Sequence, residues 1–131
     1  MSKRMDFLIG TLTRFGGVGV AKASLEGNEL SLGWTQGGLT DPNWLTASPS
    51  VHGRVYLVSS DAAGELKGCA RQATVAADGL TLEKCFPTGG NGPCHLAVSA
   101  DERFLVLANY GSGSLAVFPI GADGLEERRQ L

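Results

Sequence analysis

Few side chains among the 131 residues can move a proton or attack an electrophile near neutral pH: His52, His95, Cys69, Cys85 and Cys94. An imidazole serves as general base, proton donor or metal ligand, and its neighbours decide which. Cys94 precedes His95 and invites a nucleophilic Cys–His pair. On a strand, however, consecutive side chains leave opposite faces, which breaks the pair and makes Cys94 a small buried packing residue. The cysteine gaps of 16 and 9 contain no CxxC metal pair and no even disulfide set, so all three read as reduced structural thiols without a metal. Gly16-Gly17-Val18-Gly19 and Gly89-Gly90-Asn91-Gly92 resemble phosphate loops. The first has Lys22 where a third glycine is needed and the second has no following Lys-Ser/Thr pair, so both read as connections between strands. Gly111-Ser112-Gly113-Ser114 has the wrong order for a nucleophile elbow. Arg14, beside the first cluster, reads either as an anion ligand or as a solvated surface charge.

An internal repeat supplies the frame for these residues. Pro42-Asn43-Trp44-Leu45-Thr46-Ala47-Ser48 matches Pro93-Cys94-His95-Leu96-Ala97-Val98-Ser99 at a shift of 51, and Arg54-Val55-Tyr56-Leu57-Val58 matches Arg103-Phe104-Leu105-Val106-Leu107 at a shift of 49. Asp6-Phe7-Leu8-Ile9 is a weaker third copy. Each unit reads as strands. Leu30, Leu32 and Trp34 alternate with Ser31, Gly33 and Thr35, and Phe104 to Ala108 is apolar on both faces, as in a sheet packed on either side. Asp78-Gly79, Asp123-Gly124 and Gly27-Asn28 mark hairpins in which glycine supplies a positive φ. The units are then an inner strand (Trp44 to Ser48; His95 to Ser99), two middle strands (Val55 to Ser59 and Leu66 to Arg71; Phe104 to Asn109 and Leu115 to Ile120) and an outer strand (Leu80 to Lys84; Leu125 to Gln130). The N-terminal stretch supplies three strands, Phe7 to Leu12, Val18 to Ser24 and Leu30 to Thr35, and lacks the innermost. Four-stranded units recurring near 50 residues predict an all-β fold, a β-propeller of antiparallel blades. The chain forms one partial propeller over 1–131, with blade units 6–35, 42–85 and 93–131, about three blades of a presumed seven-bladed ring.

Composition narrows the function. Nineteen glycines suit a turn-rich chain, and 43% hydrophobic residues exclude a disordered one. Eleven basic and 13 acidic residues leave a net charge of −2, so no global field favours nucleic acid or an anionic membrane. The longest apolar run, Phe104 to Ala108, is far below the roughly 18 residues of a membrane helix. Lys3 and Arg4 are followed by too short an apolar stretch for a signal peptide, which leads to the expectation of a cytoplasmic protein.

Thr88-Gly89-Gly90-Asn91-Gly92-Pro93-Cys94-His95-Leu96-Ala97-Val98-Ser99, with Asp101, Arg103-Phe104-Leu105 and Ala108-Asn109-Tyr110-Gly111-Ser112-Gly113-Ser114 after it, resembles the lactonase family of seven-bladed propellers. Ile9-Gly10-Thr11-Leu12-Thr13 and Asp41-Pro42-Asn43-Trp44-Leu45 resemble its N-terminal portion. The resemblance implies hydrolysis of a sugar lactone, with 6-phosphogluconolactone the leading substrate and neither metal nor cofactor. It also implies that the catalytic candidates, a histidine with arginine and glutamate partners around the central channel, lie beyond Leu131.

On such a fold His95 begins an inner strand at the channel rim, where it either contacts substrate or hydrogen-bonds a neighbouring loop to fix a blade junction. Asn109 and Tyr110 end the antiparallel strand beside it, within expected reach of His95, and read as substrate-binding residues or as a polar loop cap. His52 belongs to a turn at the opposite end. A sugar lactone is the expected partner, and self-association through the open blade faces is a further expectation. A non-catalytic binding module and an inactive fragment are the alternative functions, since fold alone does not assign one.

Overall fold

The computed structural model describes residues 3–129. Among them, eleven strands form three antiparallel sheets, each in chain order. The first sheet holds β1 (Arg4–Gly10), β2 (Val20–Glu26) and β3 (Glu29–Gln36). The second holds β4 (Leu45–Ala47), β5 (Arg54–Ser59), β6 (Cys69–Val75) and β7 (Leu80–Pro87). The third holds β8 (Pro93–Val98), β9 (Phe104–Asn109), β10 (Ser114–Gly121) and β11 (Gly124–Leu125). These are blades of a propeller, and among the described residues the first sheet has no strand inside β1.

Alternation along β5 explains the stacking of the sheets. Val55 and Leu57 face the first sheet, in a core with Val20, Leu39, Ala73 and Leu80, while Tyr56 and Val58 face the third, with Leu96, Leu105, Leu107 and Phe118. The central blade is therefore buried on both sides. On β9 the alternation has only one covered side: Leu105 and Leu107 are buried, whereas Val106 is 41% exposed.

Directional polar contacts set how the blades meet. The Gln36 amide oxygen accepts the Leu80 N–H at 2.7 Å, and that of Gln72 accepts the Leu125 N–H at 2.8 Å, so each amide reaches the next blade's hairpin. Between the second and third blades Glu102, in the β8–β9 turn, accepts from the Ser48 hydroxyl, the Ser50 N–H (3.0 Å), the Ser50 hydroxyl (2.6 Å) and the Tyr56 hydroxyl (2.7 Å). Burial pushes the Glu102 carboxyl up, but these donors outweigh it and hold the pKa at about 2.

Several expectations change. Gly27 has a positive φ of 61° in the two-residue β2–β3 turn, as expected, but Gly79 has none. What Gly79 supplies is room: a Cβ there would lie 2.7 Å from the Gln36 oxygen. β6 begins at Cys69, not Leu66, because residues 60–68 close a loop in which the Ala62 N–H donates to the Lys67 carbonyl at 3.0 Å. The outer strand expected over Leu125 to Gln130 contracts to β11 and one bridge between Val117 and Arg129, and Gln130 lies outside the described residues. Cys69 and Cys85 are not reduced thiols but a disulfide between β6 and β7, with Cα atoms 6.2 Å apart. Spacing arithmetic misses the pair, since hairpin register brings it together: Cys69 stands opposite Pro87, and Arg71 opposite Cys85. Cys94 is free, and half-buried instead of buried.

Two predictions follow from these contacts. Unfolded, never-reduced protein should titrate one thiol per chain, and reductant should expose three; three without reductant would overturn the bridge. Reduction should cost about 3 kcal/mol of stability, the chain-entropy value for a loop of this size. Because the folded pKa of Glu102 lies below its ordinary 4.5, its contribution is complete above pH 4.5 and is lost as pH falls toward 2. Glu102→Gln should therefore be about 1–3 kcal/mol less stable at pH 7 and lose less than the parent between pH 5 and 2 in denaturant titrations.

Candidate functional site

β4 and β8 begin, and β1, β5 and β9 end, at one end of the arc, forming a rim. Pro42 and Pro93 launch its inner strands, so Trp44 and His95 hold equivalent places in adjacent blades. Their rings pack together with centroids 4.4 Å apart and planes tilted by 57°. Both remain open to solvent, Trp44 at 40% exposure. Trp44 is a rim residue without acid–base chemistry of its own, and its alignment with His95 in the repeat is the sequence signal that marks it. With its amide nitrogen facing both carbonyls, Asn43 donates to Pro93 and to Asp41, each at 3.2 Å.

The two residues expected near His95 part company. Tyr110 is 84% exposed, and its N–H donates to the Gly92 carbonyl at 2.9 Å. Asn109 is 1% exposed and turned inward. Its amide oxygen accepts the Thr88 hydroxyl at 2.8 Å, and its nitrogen donates to the Ser114 hydroxyl at 3.3 Å. Among the described residues no hydrogen bond joins either one to His95, because Asn109 stands opposite Pro93 and it is Ala108 that faces His95. His52 is exposed in the β4–β5 turn and lines a separate groove of about 440 Å³ with Asp6 and Leu8 of the first blade.

Two cavities, of about 360 and 370 Å³, indent the rim and share Arg14, Asp41, Ser60, Gly92 and Gly111. Cys94 and Tyr110 line the first, and Lys67 and Asn91 the second. Arg14 stands in a 3₁₀ turn over Thr13–Phe15 after β1, and is an ion-pair partner, not simply a solvated charge. Asp41 is 4% exposed and accepts the Arg14 N–H at 3.0 Å, the Arg14 Nε–H at 2.6 Å and the Thr13 hydroxyl at 3.3 Å. Burial pushes the Asp41 carboxyl up, but the backbone and guanidinium donors of Arg14 prevail and keep it below the usual carboxylate range. Asp41 also holds φ at +49°, a left-handed conformation that non-glycine residues rarely adopt. No periodicity could have joined residues 27 positions apart.

Residues 6–131 match the family described as "Lactonase, 7-bladed beta-propeller". The chain belongs to that family. It is 26% identical over 126 residues to a 6-phosphogluconolactonase of Bacillus subtilis (strain 168), covering 95% of this chain and 35% of the relative. A crystal structure from Bacteroides uniformis, provisionally named a 6-phosphogluconolactonase, superposes with a TM-score of 0.80 at 26% identity over 97% of this chain and 37% of that one. The periplasmic gluconolactonase of Pseudomonas aeruginosa superposes with a TM-score of 0.78 at 26% identity over 98% and 38%. The chain thus spans little more than a third of the length of these relatives. Among the described residues no helix is long and apolar enough to cross a membrane.

Proposed function

We propose that this chain contributes three consecutive blades, units 6–35, 42–85 and 93–131, to a lactone hydrolase acting on a sugar lactone, with 6-phosphogluconolactone the leading substrate. The observation that carries this reading is the match to a 6-phosphogluconolactonase along 95% of the chain. Lactone hydrolysis adds water to the ester carbonyl and breaks the bond to the ring oxygen, which leaves with a proton as a hydroxyl. The reaction needs a base for the water, donors for the oxyanion and a proton for the leaving oxygen. In this reading the exposed His95 takes a proton-handling or donor role, and the exposed Tyr110 hydroxyl contacts the sugar. Asn109 acts at one remove by holding the Thr88 loop. The remaining catalytic groups come from later blades.

The compartment has two readings. A cytoplasmic home would keep Cys69 and Cys85 reduced, whereas their bridge and the periplasmic relative favour an oxidising one. The isolated chain should self-associate, since Leu30 (68%), Leu32 (71%) and Leu115 (58%) stay exposed on the outer blades. Light scattering should give a mass above the monomer that rises with concentration; a monomer at every concentration would count against it.

His95→Asn in the full-length protein tests the role of that residue. Substrate contact predicts at least a tenfold loss of lactone hydrolysis, about 1.4 kcal/mol of barrier, with stability nearly unchanged. A blade-junction role predicts instead about 1 kcal/mol of lost stability with turnover retained. Unchanged turnover and unchanged melting together would remove His95 from both roles.

A further inference from the structure

Asp41 holds Arg14 by its backbone N–H and by Nε, which ties one edge of the guanidinium. Asp41 is buried, charged and in a left-handed conformation, a combination that persists only where its surroundings over-determine it. Its carboxylate engages the Nε of Arg14, the inner edge of the guanidinium. Among the described residues no protein acceptor engages the two terminal amino groups, and the side chain is 56% exposed over the two cavities. Arginine held by Nε presents its terminal nitrogens as a preset fork, suited to two oxygens of one oxyanion.

The surroundings favour a negative guest. Lys67 lines the second cavity, makes no ion pair among the described residues, and has its backbone fixed by donation of its N–H to the Asn91 amide oxygen at 2.7 Å. Among the described residues Asp41 is the one acid lining the two cavities, and Arg14 already faces it. Asp61, on the neighbouring loop, is paired with Arg71 at 2.9 Å. Arg14 and Lys67 together thus exceed Asp41 by one positive charge. Ser60 adds a hydroxyl, and Gly92 and Gly111 place no side chain in the way.

We propose that Arg14, set by Asp41, and Lys67 form a phosphate-binding site on the rim, which takes the phosphate monoester of the lactone. The identity of the molecule rests on the lactonase reading; the binding of phosphate does not. Asn43, Pro93 and Cys94 line the first cavity with Arg14, so a phosphate held by Arg14 lies at the rim, where the inner strands begin. In this arrangement Arg14 and Lys67 set specificity, and Asp41 is a positioning residue.

The test uses the full-length protein with R14M, R14K and K67M, in two arms. In calorimetric titration with inorganic phosphate, R14M and K67M should each weaken binding at least fivefold, and R14K should fail to restore it because an ammonium lacks the fork. In steady-state assays, the ratio of kcat/KM for 6-phosphogluconolactone to that for unphosphorylated gluconolactone should fall at least tenfold in R14M and K67M, chiefly through KM. Lys67 is exposed, so K67M separates charge from folding. Phosphate binding untouched by the substitutions, or an equal loss on both lactones, overturns the site and leaves Arg14 a blade lock. If the parent opens neither lactone while its phosphate binding still depends on Arg14 and Lys67, the site stands and the lactonase reading falls.

Discussion

Val55, Tyr56, Leu57 and Val58 are all buried, yet they point alternately to opposite faces of one sheet. A strand of that kind is stable only when both faces are covered, and here the covers are two other sheets. At about 25 cal/mol per Å² of apolar surface, four fully buried side chains contribute several kcal/mol. The second blade therefore depends on the first and third. The same logic leaves Val106 and Leu115 waiting on one side and Leu30 and Leu32 on the other. A radial ring satisfies the constraint by repeating it, and an arc satisfies it only in the middle.

Apolar contact has no direction, so it cannot by itself choose how one blade sits against the next. The choice falls to polar groups of limited reach: the Gln36 and Gln72 amides on the following hairpins, Glu102 on Ser48, Ser50 and Tyr56, and Asp41 on Arg14 and Thr13. Each joins residues at least 27 positions apart in sequence, and each would be left unsatisfied by a slipped packing. Lys84 adds a further link, donating to the Asp123 and Leu125 carbonyls at 2.7 and 3.0 Å.

These scales separate what could be read from the sequence from what could not. Strand order, the missing inner strand and the equivalence of Trp44 with His95 were legible, because repetition and alternation are written along the chain. The Trp44–His95 contact needs the curvature of the ring, and the Cys69–Cys85 bridge needs the β6–β7 register, which a bulge between Gln72 and Ala73 shifts. Asn109 looked like a rim residue by position. It turns inward because Thr88 and Ser114 satisfy its amide there, a preference that no local pattern records.

The two ends of the arc use their polar groups differently. At the end opposite the rim, Glu102 collects the donors of Ser48, Ser50 and Tyr56, so the turns there satisfy one another. At the rim, the terminal nitrogens of Arg14, the Lys67 ammonium and the Tyr110 hydroxyl have no hydrogen-bond or ion-pair partner among the described residues, although the backbone beneath them is tied down by Asp41, Asn91 and Gly92. A junction is rigid when its donors and acceptors are matched within the protein. A binding surface needs the reverse, a fixed backbone carrying side chains whose partners arrive with the ligand. Asp41 stands where the two demands meet: its carboxylate closes the junction between the first two blades and, through Nε, sets the plane in which Arg14 meets whatever enters the cavity.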